Sequence, residues 1–281
     1  MAEIDSTESP LDLRFSEAEL EQHREHITSF VTDQYEAAGA DTAVIALSGG
    51  IDSTLTAYLA VEALGSGNVY GLVLPSTVNR DQNMSDAERI ASELLDIEYD
   101  VIEIQPLVEA VLDANPNVST DAGEDEQTRV AVGNLRARLR AVLSYFEANR
   151  RNGIVLGTGN RSEAAVGYFT KYGDGAVDCH PIANLYKGQV RQLARHVGVP
   201  EDLAAKTASA ELWADQTDEG ELGLDYETLD SILALHIDGP LSVTATAREL
   251  GIDESLVEDV RGLYERSAHK RQAPPGPETL Y

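Results

Sequence analysis

The chain has 281 residues, 42% of them hydrophobic, which is enough to bury a sizeable core in one α/β domain. Its 21 basic residues against 49 acidic ones leave a net charge of −28, a field that repels nucleic acid and anionic membranes and argues against both as partners. No stretch approaches the roughly 20 apolar residues of a membrane span. The first ten residues are polar and acidic, unlike a secretory signal, and the single Cys179 excludes an intramolecular disulfide and fits a reducing cytoplasm. The acids are spread along the chain rather than gathered in a tail, so adaptation to high salt is the expectation: dissolved ions screen a self-repulsion that would otherwise loosen the fold. The basic side is lopsided too. Only Lys171, Lys187, Lys206 and Lys270 stand against 17 arginines, so a surviving lysine invites a functional reading.

In chain order, Ser16 and Glu19 make a capping box that starts a helix running to about residue 38. His23 and His26 share a face of it but lack a third ligand nearby, which leaves them on a solvated face. An apolar run over 43–47 with β-branched Val44 and Ile45 reads as a buried strand, and 54–64 as a helix. Strand 68–74, helix 81–95 and strand 97–104 follow, an alternation that predicts βαβ units and a parallel sheet with helices on both faces. A loop over 113–126 precedes a long helix, 127–149, in which Arg136, Arg138 and Arg140 form the densest basic patch just after Asn134. Strand 153–156 ends in Gly157-Thr158-Gly159-Asn160, and Glu163 opens the next helix. Residues 167–187 interleave glycines with aromatics and charges, as a loop shaped to fold over a ligand does. Residues 186–197 are helical, 207–223 irregular and acidic, and 226–236, 243–250 and 254–268 short helices. The tail, 269–281, carries Pro274, Pro275 and Pro277 and reads as extended. The segment 245–257 looks like a helix-turn-helix, but Glu249, Asp253, Glu254, Glu258 and Asp259 in or beside it would repel phosphate. There is no internal repeat and no flexible linker between large domains.

The stretch around which the chain is organised is Leu47-Ser48-Gly49-Gly50-Ile51-Asp52-Ser53-Thr54, a small turn between a strand end and a helix start. The first amides of a helix lack intrahelical partners and sit at the positive end of its dipole, so such a turn favours a phosphate. Gly49 and Gly50 let the main chain approach a ligand, Ser48 and Ser53 add hydroxyl donors, and Asp52 offers a carboxylate to magnesium between phosphates. No Gly-Lys-Ser/Thr follows, so this is not the common P-loop. An ordinary βα turn is the plainer alternative, since Ser, Gly and Asp are favoured in turns. Gly157-Thr158-Gly159-Asn160 is a second glycine turn at a strand's C-terminal end, where open α/β sheets bind ligands.

The Ser48-Gly49-Gly50-Ile51-Asp52-Ser53 loop resembles that of the ATP-pyrophosphatase superfamily, which cuts ATP between its α and β phosphates. Further along, Gly133-Asn134-Leu135-Arg136-Ala137-Arg138-Leu139-Arg140, Gly157-Thr158-Gly159-Asn160-Arg161-Ser162-Glu163 and Gly167-Tyr168-Phe169-Thr170-Lys171-Tyr172-Gly173-Asp174 resemble ammonia-dependent NAD synthetases. So do Pro181-Ile182 with Leu185-Tyr186-Lys187, Ser209-Ala210-Glu211-Leu212-Trp213, Gln216-Thr217-Asp218 and His269-Lys270-Arg271. The likeness runs from about residue 20 to 276. It implies a doubly wound five-stranded parallel sheet of the adenine nucleotide α-hydrolase kind with extra C-terminal helices. A single domain would cover 16–268, after a disordered or extended segment over 1–15 and before a tail, 269–281, that contributes to the substrate site. A homodimer acting on small molecules in the cytoplasm is implied as well.

The reaction implied is amidation of nicotinic acid adenine dinucleotide with ammonia to give NAD, with ATP converted to AMP and pyrophosphate through an acyl-adenylate. By resemblance, Ala46, Leu47, Ser48, Gly49, Gly50, Ile51, Asp52, Ser53, Thr158, Lys187 and Ser209 bind ATP, with Asp52 and Lys187 catalytic. Asp52 and Glu163 hold Mg2+, while Arg138, Lys171, Asp178, His269 and Lys270 take the dinucleotide. Three of the four lysines fall on implied contacts, and Lys206 is the exception. Trp213 reads as core or lid packing and Cys179 as packing rather than a nucleophile. Another ATP-pyrophosphatase ligase, or a non-catalytic adenine-nucleotide sensor on the same fold, would share the first loop. Glutamine-using relatives carry an extra amidohydrolase domain for which this length leaves no room, so free ammonia is the expected nitrogen source. The charge yields a direct test: the unfolding midpoint should rise steadily as KCl goes from millimolar to molar, and equal stability at both ends would refute salt adaptation.

Overall fold

The computed structural model describes residues 11–76, 82–115, 126–207 and 217–279. Four strands form one sheet among them: β1 (Thr42–Leu47), β2 (Val69–Val73), β3 (Glu98–Val101) and β4 (Gly153–Leu156). The order is β3-β2-β1-β4 and every pair is parallel. The chain winds outward from β1 through β2 to β3, then returns to lay β4 against the other side of β1. The order therefore reverses between β1 and β4, with Thr42 opposite Gly153 and Ile45 opposite Leu156. That register puts the two glycine turns, one after each strand, side by side at the point where open α/β sheets accept ligands.

Twelve helices are described: α1 (Glu17–Ala37), α2 (Ile51–Leu64), α3 (Gln82–Arg89), α4 (Gln105–Asp113), α5 (Glu126–Arg150), α6 (Arg161–Val166), α7 (Lys187–His196), α8 (Glu201–Ala204), α9 (Asp218–Leu222), α10 (Tyr226–Ile232), α11 (Val243–Leu250) and α12 (Glu254–Arg266). Short π turns, Ile90–Leu94 and Leu233–Ile237, continue α3 and α10. The Ser16–Glu19 capping box starts α1 as its spacing predicts. Alternation along β1 sorts the core. Ala43, Ile45 and Leu47 pack with Ile27 and Val31 of α1, Leu55 and Leu59 of α2 and Val190 and Leu193 of α7. Val44 points the other way, joining Tyr70, Leu72 and Val155 against Ile104 and Ala148 of α5. The last helices make their own cluster, with Val166, Tyr226, Leu229, Val257 and Val260 fully or almost fully buried. The doubly wound α/β plan with added C-terminal helices is thus present.

The implied fifth strand is not. Among the described residues the sheet has four strands, and beside β4 there is a single bridge, Leu156 to Cys179. Two bonds make it, Gly157 N–H to the Cys179 carbonyl at 2.8 Å and Asp178 N–H to the Val155 carbonyl at 3.0 Å. Pairing stops there for local reasons. The Val155 N–H is taken by the Asp178 side chain, Oδ2 at 2.7 Å, instead of by a strand carbonyl. Two residues after Cys179 comes Pro181, which has no N–H to add to a ladder. The residue pattern alone indicates four strands, and the fifth is implied only by the resemblance.

Candidate active site

The loop after β1 is built for close approach. Gly49 has φ +76°, a left-handed conformation that side chains rarely adopt, and a Cβ at Gly50 would lie 3.2 Å from Ser48 Oγ. Gly50 is the N-cap of α2 and offers no side chain to the amides of the first turn. Ser53 Oγ donates to the Gly50 carbonyl at 3.0 Å and sits 3.1 Å from Ser48 Oγ, so both hydroxyls are gathered at the loop's mouth. Lys206, itself on the cavity wall, clasps the loop with its Nζ 3.2 Å from the Gly49 carbonyl and 2.8 Å from Asp86 Oδ2. The lysine that fell outside the implied contacts therefore holds the main chain of the first glycine loop.

The loop after β4 supplies the counterpart. Asn160, fully buried, caps α6 by accepting from Glu163 N–H at 3.0 Å. Its Nδ2 reaches back to donate to Asp52 Oδ1 at 2.8 Å, so one side chain ties the Asp52 carboxylate to the first turn of α6. Between them lies Lys187, only 2% exposed, its Nζ 2.5 Å from Asp52 Oδ2 and 3.0 Å from Glu163 Oε1. Burial by itself would push the Lys187 ammonium down; the two carboxylates outweigh it and hold the ammonium above the ordinary lysine value. One ammonium compensates one of the two carboxylates. The surplus shows at Glu163, which is pushed up to about 7 by burial and by Asp52, against the pull of Lys187.

Lys187 is held by its backbone as well. It is the first residue of α7, and its N–H donates to Ser162 Oγ at 2.9 Å. Ser162 in turn donates to Asp230 Oδ1, while Asp230 Oδ2 accepts from Gly188 N–H at 2.9 Å. The buried Asp230 of α10 thus clamps the start of α7 to α6, fixing Lys187 against its neighbour Glu163. Nothing local in the sequence marks Asp230, and Ser162 stands in a motif of the resemblance without a role of its own. Asn160 had a signal, an N-cap residue three positions before a glutamate.

These groups face one cavity of about 460 Å³. Ala46, Leu47, Ser48, Gly50, Ile51, Asp52 and Ser53 line it from the first loop, Thr158 and Glu163 from the second, with Lys187 and Lys270 beyond. The other implied dinucleotide residues stand apart from that wall. Arg138 donates to the Lys171 carbonyl at 3.3 Å and Lys171 Nζ to the His269 carbonyl at 2.6 Å, which strings the three into a neighbouring patch. Lys270 Nζ sits 2.8 Å from the carbonyls of both Gly167 and Phe169. Asp178 serves the β4 edge and accepts from Tyr145 at 3.2 Å. Ser209, like Trp213, lies outside the described residues. Among those residues no group of three or more His, Cys, Asp or Glu side chains is placed to hold a metal ion unaided.

A parallel sheet whose switch-point turns present glycine backbone, serine hydroxyls, a buried lysine and paired carboxylates to one cavity defines an α/β protein of the nucleotide-binding class. The comparisons narrow the class. A model of the NAD synthase family matches residues 23–274, and the chain belongs to that family. It is 61% identical to the NH(3)-dependent NAD(+) synthetase of Halobacterium salinarum over 271 residues, covering 96% of this chain and 98% of the relative. Among solved structures, the NMN synthetase of Francisella tularensis is 36% identical with a TM-score of 0.79, covering 95% of this chain and all of that one. The NH3-dependent NAD synthetase of Campylobacter jejuni is 29% identical with a TM-score of 0.75, covering 92% and 99%.

The clamp on α7 has a pH signature. Burial, the largest effect, raises the Asp230 carboxyl from 3.8 to about 6 against the hydrogen bonds it accepts. A carboxyl raised on folding favours the fold below its unfolded value, and that contribution is lost as pH rises through its folded value. Relative to Asp230→Asn, the wild type should lose about 3 kcal/mol of stability between pH 3.8 and about 6. Thermal melts of the two proteins at constant molar KCl measure it, and parallel pH profiles would refute the clamp's titration.

Proposed function

We propose that this protein amidates nicotinic acid adenine dinucleotide with ammonia to form NAD, consuming ATP and releasing AMP and pyrophosphate. The observation that carries the reading is the 61% identity to the Halobacterium salinarum synthetase along 96% of the chain. The chemistry suits the cavity. A carboxylate does not accept ammonia directly, because oxide is a poor leaving group. The nicotinate oxygen attacks the ATP α-phosphorus and expels pyrophosphate; ammonia then attacks the acyl carbon and AMP departs. The first step brings two anions together, so positive charge and positioning dominate it. In this reading the amides and hydroxyls of residues 48–53 hold the phosphates, and Thr158 and Ser209 add hydroxyl contacts. Lys187, locked in place and kept charged by its carboxylates, presents a fixed positive charge to the transferring phosphate. Arg138, Lys171, Asp178, His269 and Lys270 are proposed to receive the dinucleotide.

The donor set also fits a hard cation. Two half-buried carboxylates with a charge surplus offer only oxygen, and a site with two protein ligands leaves the rest of the shell to phosphates and water, as magnesium prefers. Asp52 and Glu163 would hold that ion, and it would neutralise phosphate charge when bound. The test is an assay in molar KCl with magnesium, ATP, ammonium and the deamido dinucleotide, run in parallel with the mononucleotide because of the Francisella tularensis relative. NAD and AMP should appear together and with the dinucleotide; ADP, or no amide, would sink the reading. Asp52→Asn should lower kcat on the order of 100-fold or more with the fold intact.

A homodimer is proposed through the outer face of α4 and α5. Leu107 and Val111 on α4 are 39% and 44% exposed, and Val142 and Phe146, one turn apart on α5, are 62% and 57% exposed. Large apolar side chains so bare fit a self-complementary patch. Phe146→Glu should convert a dimer to monomers in gel filtration at molar salt, and an unchanged elution volume would place the interface elsewhere.

A further inference from the structure

One buried carboxylate on the cavity wall has no part in the reading so far. Asp218 begins α9 and is 3% exposed. Its Oδ2 accepts from the Tyr226 hydroxyl at 2.9 Å. Its Oδ1 is buried and accepts no hydrogen bond among the described residues. Buried carboxylate oxygens are almost always satisfied, so a bare one beside a cavity points to a donor that arrives with a ligand. The groups around it set the donor's kind. Tyr168 and Glu221, joined at 2.6 Å, share the wall. Lys187 from α7 pulls the Asp218 charge toward the ionised form, Asp52 from α2 opposes it, and the Tyr226 and Tyr168 phenols support the carboxylate. Glu163 from α6 also interacts with it electrostatically. Carboxylates outnumber buried cations here, so the missing donor is positive. It is also small. The Tyr226 ring already lies 5.1 Å from one ammonium, that of Lys187, which shows the wall's tolerance for such a group.

ATP and the dinucleotide bring anionic oxygens that such a wall repels. Ammonia at neutral pH is almost wholly ammonium, a small cation with N–H donors and no lone pair to attack with. We propose that Asp218 Oδ1 binds the ammonium ion and accepts its proton, releasing neutral ammonia next to the activated carboxyl group. The assignment rests on the amidation reading and names the group that prepares its nucleophile. The N–H bond breaks and its proton moves to Oδ1. The freed nitrogen pair forms the C–N bond as the C–O bond to AMP breaks, its electrons leaving with the phosphate. The nitrogen then gives one further proton to solvent, and Asp218 returns its own before the next turnover. Burial, the first of its influences, raises the Asp218 carboxyl, which makes the carboxylate a better acceptor than an exposed aspartate.

Asp218→Asn keeps the shape and removes the base. Three rates are read at molar KCl: dinucleotide-dependent exchange of pyrophosphate into ATP, NAD formation from ammonium, and hydroxamate formation from hydroxylamine, which is uncharged at neutral pH. Exchange and the hydroxylamine reaction should stay within about 3-fold of wild type, while ammonium-dependent kcat/KM falls about 100-fold, the deficit shrinking as pH rises toward ammonium's own ionisation. Equal losses with both nucleophiles, exchange slowed as much as amidation, or an unchanged ammonium rate would each overturn the assignment. Should Asp218→Asn fail to fold, Tyr226→Phe frees the carboxylate from its anchor and carries the same comparison: a loss confined to ammonium supports it, and equal losses refute it. A wild type that makes no NAD sinks the amidation reading instead, so the two failures are distinct.

Discussion

The structure turns on one buried ammonium. Lys187 is almost without solvent, and an isolated charge there would be too costly to keep. It is tolerated because Asp52 comes to it from the loop after β1 and Glu163 from the loop after β4. Those loops are neighbours only because the strand order reverses between β1 and β4. Removing either carboxylate would leave the ammonium with one of its two partners, and removing the lysine would leave two like charges facing each other. The ion triad, the switch point and the placement of α7 are therefore a single constraint seen at three scales.

The supports of that triad come from far along the chain. Asn160 ties the Asp52 carboxylate to the first turn of α6, which carries Glu163, and Asp230 fixes the backbone that carries the lysine. Lys206 grips the first loop through the Gly49 carbonyl, so its backbone is presented in one arrangement. A site made of such short contacts is set before any ligand enters. This spares a phosphate-transfer site the reorganisation that water would need at the moment of reaction.

The parts of this arrangement that could be read from sequence are those whose physics is local. Two glycine turns after apolar strands, a capping box at Ser16 and the apolar periods of the long helices follow from neighbours within a few residues. The scarcity of lysine pointed at Lys187 before any contact was known. Asp218 and Ser162 stood inside motifs of the resemblance without a role, and Asp230 gave no sign at all, because their partners lie on other helices and only the tertiary fold brings them together. α4 was missed for a related reason: its apolar residues Leu107 and Val111 face outward, so it carries no stripe turned fully to the core. The fifth strand erred in the opposite direction. A family pattern supplied it, whereas the side chain of Asp178 and the ring of Pro181 decide the matter locally.

That edge has a further effect in concentrated brine. A chain of charge −28 is kept from its neighbours by repulsion in dilute buffer, but molar salt shortens the reach of that force to about 3 Å. Protection from edge-to-edge pairing of sheets must then be built into the margins themselves. On one margin Asp178 already occupies the Val155 amide, so an incoming strand finds that donor spent. On the other, β3 is four residues long and carries Glu98 and Asp100. Short, acidic and partly pre-satisfied margins keep such molecules from knitting into fibres where charge at a distance no longer does.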